Sequence, residues 1–353
     1  MQFTQSILSW YDKNKENFPW RVTKNPYKIW ISEIMLQQTQ VKTVIPFYEN
    51  WIKKFPTIYD VANASDEVLF KYWEGLGYYN RVNNFRFACK EIIASYNGVI
   101  PQSKLELMNL KGIGDYTSSA IASIAFNKKH YVIDGNVKRI MARILCLKDF
   151  SKISLNQIHE FLSNYIDCNR PGDFNQGLMD LGRDVCKPKK PLCEICPISY
   201  QCEAYSINAT HLYPIPKQKN KKLPHYIIGV GVIWNNNKIL ITKRKKNKLL
   251  GGLWEFPGGK LIKNESISEC IKREIYEELS IDVEVQNFII KVNHKYSHFS
   301  ITLHAHHCLY KKGTIKCNAA DDWKWIKSAQ LADFPFPKAN HYIFPHILNK
   351  GVA

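Results

Sequence analysis

The sequence predicts two domains of different class, an all-α unit over residues 1–210 and a smaller α+β unit over residues 225–353. Three observations predict it. At 353 residues the chain exceeds what a single hydrophobic core comfortably serves. Before the middle of the chain apolar residues recur at spacings of three and four, whereas beyond it they alternate or run on, with β-branched and aromatic side chains enriched. Between the two stands HLYPIPKQKNKKLP, residues 211–224, rich in Pro and Lys and aperiodic, which reads as a linker.

Each element follows from its pattern. ISEIMLQQTQVKTVIPFYENWIKKF, DEVLFKYWEGL, RVNNFRFACKEIIASY, YTSSAIASIAF, NVKRIMARIL and LNQIHEFLSNYI read as helices separated by short loops with Pro, Gly or Asn. The start, MQFTQSILSWYDKN, is amphipathic and lacks the charged opening, apolar centre and small-residue cleavage site of a secretory signal. Further on, HYIIGVGVIW, KILITKRK, VEVQNFIIKVNHKY, FSITLHAHHCLY and DDWKWIK read as strands, with one helix at 266–279. No repeat is visible.

A formal charge of +18 favours a polyanionic partner. Nucleic acid fits better than membrane, because no run of ~18 apolar residues is present. An intracellular monomer, cytoplasmic by class, is expected. Six cysteines (Cys89, Cys146, Cys168, Cys270, Cys308 and Cys317) are scattered as reduced thiols would be. The other four are clustered in CKPKKPLCEICPISYQC: Cys186, Cys193, Cys196 and Cys202, with six, two and five residues between them. Thiolates packed so tightly converge on one metal centre, and the spacing leaves zinc and [4Fe–4S] both open.

Three further features carry chemistry. Gly112-Ile113-Gly114 in LKGIGDYTSSAIASIAF sits between helices, where glycines let backbone approach a phosphate. Asp134 in VIDGNVKRIMARI precedes a helix and, taken alone, reads as an N-cap. Glu33 is flanked by Ile31, Ile34, Met35 and Leu36, which makes it a candidate for a carboxyl raised by a dry pocket, beside the ordinary reading of a glutamate on the solvent face of an amphipathic helix.

The C-x6-C-x2-C-x5-C run after a helical domain resembles the iron–sulfur motif of the endonuclease III superfamily of DNA glycosylases. PWR (19–21), SEIMLQQTQV (32–41), GLGYYNR (75–81), GIGDYTSSAIASIAF (112–126), DGNV (134–137) and FNQGLMDLG (174–182) narrow the resemblance to the MutY family of adenine DNA glycosylases, over essentially the whole chain. The resemblance implies excision of adenine mispaired with 8-oxoguanine or G in duplex DNA, after the base is flipped out. Cleaving an N-glycosidic bond builds positive charge on the sugar and needs a protonated leaving base. By resemblance Glu33 supplies the proton, Asp134 steadies the cationic sugar and Asn136 orients it. Tyr116 stands where bifunctional relatives carry a Schiff-base lysine, which implies a monofunctional enzyme. Gln38 and Tyr78 would fill the stack, Thr39 would contact 8-oxoguanine, and Trp20, Arg21, Leu36 and Gln176 would line the adenine pocket. Gly112 and Gly114 would form the helix–hairpin–helix contact with phosphate, and the four cysteines would hold [4Fe–4S]. Lys111 departs from the family's usual Pro.

In the second domain Gly259, Glu265, Arg273, Glu274, Glu277 and Glu278 resemble the Nudix box, with Ser280 replacing its last Gly. Glycosylases of the MutY family carry a C-terminal domain of this fold that has usually lost the box and reads 8-oxoguanine. The aromatic-Ser-His loop that does so matches Tyr296, Ser297 and His298. The retained acids add a second reading, Mg2+ at Glu274, Glu277 and Glu278 with hydrolysis of an oxidised nucleotide. The expected architecture is thus a helix–hairpin–helix glycosylase domain with an iron–sulfur loop (186–202), followed by a Nudix-like α+β domain. A bifunctional pyrimidine lyase, a free-nucleotide hydrolase and a silent mismatch binder are the competing functions.

Overall fold

The computed structural model describes residues 2–215, 223–296 and 298–348. Part of the linker expected at 211–224, and Ser297, lie outside the described residues. The chain packs into two compact units, Met1–Asn63 with Asn83–Lys219, and Ala64–Val82 with Asn220–Ala353. Among the described residues no helix is long and apolar enough to cross a membrane.

The first unit is helical throughout. One core joins the N-terminal helix Gln2–Asn14 to helices Gly135–Ile144 and Pro171–Asp184 through Phe3, Ile7, Val137, Met141, Phe174 and Leu178, all at most 1% exposed. Burying such side chains contributes roughly 1.5–3 kcal/mol each. Gly177 lets the first and last of these helices meet, since a Cβ there would stand 3.0 Å from Ile7.

Helix Pro26–Leu36 starts at Asn25, whose side chain accepts from the backbone N–H of Tyr27 and Lys28. It is apolar around most of its girth, so Tyr27 and every residue from Ile29 to Met35 are buried. The long apolar run 31–55 is not one helix. It breaks between Leu36 and Val41, where Gln38 takes a left-handed φ of 59°, and resumes as Val41–Lys54. Helices Lys104–Asn109 and Asp115–Ile124 flank the expected hairpin. Gly112 is required there twice over, by a φ of 82° and because a Cβ would stand 2.6 Å from that of Asn84. Gly114 is the N-cap of the second helix, exposed to approach, with nothing within 4 Å of a Cβ built on it.

The second unit is a seven-stranded mixed sheet. Its strands are β1 (His225–Asn235), β2 (Lys238–Arg244), β3 (Trp254–Glu255), β4 (Gly258–Lys260), β5 (Asp282–Lys295), β6 (Ser300–Lys312) and β7 (Ala320–Ile326). The backbone order is β3-β2-β1-β6-β5, with β4 on β1 and β7 on β2; among the described residues only the β1–β6 pair is parallel. Helix Ile267–Leu279 covers one face through Ile271, Ile275 and Leu279. Phe336, Ile343, Phe344 and Ile347 cover the other. Strand β1, packed on both sides, is therefore a continuous buried run at its centre. Segment 64–82 belongs to this unit. Phe70 abuts Gly252, Asp66 pairs with Lys246 at 2.8 Å, and Glu74 accepts from Phe336 N at 2.7 Å and faces His341 Nε2 at 2.8 Å.

Candidate active site

In the first unit the residues singled out by sequence converge on a cavity of about 510 Å3, lined among others by Trp20, Arg21, Glu33, Leu36, Thr39, Tyr116, Asp134, Asn136 and Gln176. That volume suits a small-molecule or single-nucleotide ligand.

Glu33 is 5% exposed. Burial pushes its carboxyl from an ordinary 4.5 up to about 7; the Tyr116 hydroxyl, donating to Oε2 at 2.8 Å, partly opposes this, and the Asp134 charge adds to it. The group therefore sits where it can hold or release a proton at neutral pH. Tyr116 is itself held well above its usual range by burial, so it acts as a donor and stays a phenol.

Asp134 is both an N-cap and a pocket wall. Its Oδ1 accepts from Val137 N at 2.7 Å, and its Oδ2 accepts from Asn136 Nδ2 at 3.1 Å. Burial raises its carboxyl while these bonds lower it. Asn136 is fixed in turn: its Oδ1 accepts from Arg139 Nη2 at 2.8 Å, and Arg139 also donates to Gly182 O at 2.7 Å and Cys186 O at 2.8 Å. Gly182 must lack a side chain, because a Cβ would stand 2.5 Å from that of Asn136. Upstream, Asn175 holds the loop entering Asp134, accepting from Val132 N at 3.1 Å and donating to His130 O at 2.8 Å and Ser123 Oγ at 2.9 Å.

Sequence reasoning missed several of these residues. Asp180, with a side chain 4% exposed, takes a two-pronged ion pair from Arg21 at 2.7 and 2.8 Å and a second pair from Arg183 at 3.1 Å. Arg21, expected as a base contact, is thus also a wall strut. Lys42 and Met179 line the cavity as well. Arg139 had a legible signal, one helical turn beyond Asn136; the Arg21–Asp180 pairing, 159 residues apart in sequence, had none.

Other expected residues lie elsewhere. Gln38 is exposed in the turn after the Glu33 helix. Tyr78 and His298 line a different cavity, of about 450 Å3 within the second unit, with Arg81, Tyr296, Phe299 and Lys248. Tyr78 is held at a φ of 50°, and Arg81 lies over its ring at 5.4 Å. Tyr296 stacks on Phe299 at 4.7 Å.

Cys186, Cys193, Cys196 and Cys202 line one small cavity together with Arg143, and all four are free thiols. Burial pushes Cys196 up to about 12 and Cys202 up to about 11, so a cation is needed to make thiolates of them. Among the described residues no three His, Cys, Asp or Glu are placed to hold a single ion. Four cysteine sulfurs around one cavity make a soft donor set that zinc and an iron–sulfur cluster can both use. The donor set fits a cluster. On the Nudix-like helix, Arg273 occupies Glu265, Glu274 and Glu277 at 2.7, 2.9 and 3.3 Å. Glu278 is buried and pushed up to about 8, by burial first and Glu255 second, with the Glu274 charge adding to it. Two of the three expected magnesium ligands, Glu274 and Glu277, are thus engaged by Arg273.

Comparisons with known proteins agree with this anatomy. Residues 31–163 match the HhH-GPD superfamily base excision DNA repair protein family, residues 186–202 the iron–sulfur binding domain of endonuclease III, and residues 229–346 the NUDIX domain. An adenine DNA glycosylase of Arabidopsis thaliana is 37% identical over 76% of this chain, which spans 48% of that protein's length. One of Buchnera aphidicola subsp. Baizongia pistaciae is 33% identical over 95% of this chain and 94% of its own. Among solved structures, a thermostable thymine-DNA glycosylase matches with a TM-score of 0.55 and 29% identity, over 58% of this chain and 95% of that one. The protein is thus a DNA glycosylase of base excision repair with an iron–sulfur cluster, and it belongs to the adenine DNA glycosylase family.

Proposed function

We propose that the protein excises adenine from duplex DNA where it is mispaired with 8-oxoguanine or G, by hydrolysis without strand cleavage. The relatives' shared name supports adenine as the base. The observation that carries the reading is a protonatable Glu33, pushed up to about 7, facing the same cavity as Asp134. Glu33 delivers its proton to the leaving base, then as carboxylate accepts one from the attacking water, while Asp134 steadies the positive charge on the sugar. Tyr116 fixes the Glu33 carboxyl, Asn136 fixes Asp134, and Trp20, Leu36 and Gln176 wall the base. Tyr116 supplies no amine for an imine, which supports a monofunctional outcome.

The remaining assignments are of the same kind. Gly112 and Gly114 approach phosphate; Thr39 and Gln38 meet the opposite base and the stack. Tyr78, Ser297 and His298 read 8-oxoguanine from the second unit, supported by the aromatic cavity around Tyr296. The cluster is [4Fe–4S]; Cys186, Cys193, Cys196 and Cys202 would hold it, and it would fix the loop that carries Lys187, Lys189 and Lys190 near phosphate. The enzyme acts as an intracellular monomer.

The deciding experiment is a strand-scission assay on duplexes with A opposite 8-oxoguanine, G or T, with and without alkali, for the wild type and Glu33→Gln. Alkali-dependent breaks at A, abolished in Glu33→Gln with duplex binding kept, are expected; retained turnover removes Glu33 from its role. Alkali-independent breaks, or borohydride trapping through Lys42, would favour the lyase. A second reading, magnesium-dependent hydrolysis of an oxidised nucleotide at Glu274, Glu277 and Glu278, rests on the retained acids. Pyrophosphate release from oxidised dGTP on adding Mg2+ would support it.

A further inference from the structure

Arg143 is 2% exposed, at the end of helix Gly135–Ile144 against the cysteine loop. Its Nη1 donates to the Cys186 sulfur at 3.1 Å and to Lys187 O at 2.8 Å. Its Nη2 donates to Pro188 O at 2.9 Å, and its Nε to the carbonyls of Thr210 and Tyr213 at 3.1 and 3.2 Å. The donors are answered but the charge is not. Four of the five acceptors are neutral carbonyls and none is a carboxylate. A guanidinium cannot shed its proton to escape burial, and a buried charge without an anion is strongly destabilising. Arg139, donating to Cys186 O at 2.8 Å, brings a second cation to the same place. The remaining acceptor is a sulfur, and an iron–sulfur cluster held by four thiolates is a net anion. Among the described residues no carboxylate accepts from Arg143, and the cluster is the anion that would answer its charge.

We propose that Arg143 is the buried counter-ion of the iron–sulfur cluster, a positioning residue that fixes Cys186, ties Lys187–Pro188 to Thr210–Tyr213, and by its charge favours the more negative, reduced cluster. A donor that merely satisfied carbonyls would hold the loop without moving the redox equilibrium. A fixed positive charge beside a ligand sulfur moves it.

The test uses the full-length, cluster-loaded protein and the variants Arg143→Gln and Arg143→Lys. A redox titration followed by visible absorbance and electron paramagnetic resonance gives the midpoint potential. Bleaching under an iron chelator gives the rate of cluster loss, and trypsin cleavage after Lys189, the one lysine of this stretch not followed by proline, reports the loop. Arg143→Gln is expected to titrate at a more negative potential, lose its cluster about 10- to 100-fold faster and be cut sooner. Arg143→Lys, which keeps the charge, is expected to keep the wild-type potential while losing the cluster at an intermediate rate. A loaded Arg143→Gln at the wild-type potential overturns the proposal. If Arg143→Gln takes up no cluster, Arg143→Lys decides: a wild-type potential supports the charge role, and a failure to load or a shifted potential overturns it.

Discussion

Glu33 is expensive to keep. Moving a carboxyl from 4.5 to about 7 corresponds to about 3 kcal/mol at 1.36 kcal/mol per pH unit, lost from stability wherever the unfolded chain would ionise. The sign follows: below pH 4.5 both states are protonated and nothing is lost; between 4.5 and about 7 the folded state holds the extra proton, and the deficit grows. Glu33→Gln should therefore leave stability unchanged near pH 4 and raise it by up to about 3 kcal/mol at pH 8, measured by urea unfolding at both pH values. The same ionisation should make single-turnover base release fall as pH rises through about 7. A second residue-scale outcome concerns Gly182. Gly182→Ala should push Asn136 off Asp134 and lower the rate roughly 100-fold with duplex affinity largely kept; an unchanged rate would show that Asn136 does not position the carboxylate. Glu33 was legible because an acid among Ile31, Ile34 and Met35 contradicts its surroundings. Asp180 and Asn175 were not, because a polar residue in an amphipathic helix reads as solvent-facing until its distant partner is known.

Among the elements, helix Ile267–Leu279 shows what one substitution in a motif means physically. Its N-terminus is closed by a capping box of Ser266 and Glu269, while its C-cap, Ser280, is held at a φ of 56°, where a Cβ is disfavoured. Asn318 Nδ2 donates to Ser280 Oγ at 3.0 Å, which offsets part of the strain. Ser280→Gly should raise stability by about 0.5 kcal/mol, a small increase in Tm by calorimetry with glycosylase activity untouched. The long strands were readable from alternation and β-branched content. Strands β3 and β4, of two and three residues, are too short for any period to register. The break at Gln38 was hidden because apolar spacing stays in phase across it, and only the backbone turn gives it away.

For the molecule as a whole, compactness does not follow chain order. Residues 64–82 pack with the C-terminal unit through Phe70, Glu74 and three lysine partners of Asp66 and Glu67. Ending the chain at Ile215 should thus expose an internal segment: Phe70, 2% exposed, alone stands to lose about 1.5–3 kcal/mol of burial. Such a truncation should melt lower and be cleaved within 64–82, and a fragment with wild-type protease resistance there would contradict the packing. Sequence pattern marks where composition changes, and it has no way to register a short stretch of one half docking on the other. The helix Pro26–Leu36 bears on how variants of this enzyme are judged. Since nearly all its girth is hidden, changes beside Glu33 will surface first as poor yield in the cell, and a sluggish lysate will look like a damaged catalyst. Turnover per correctly folded molecule is the quantity that separates the two.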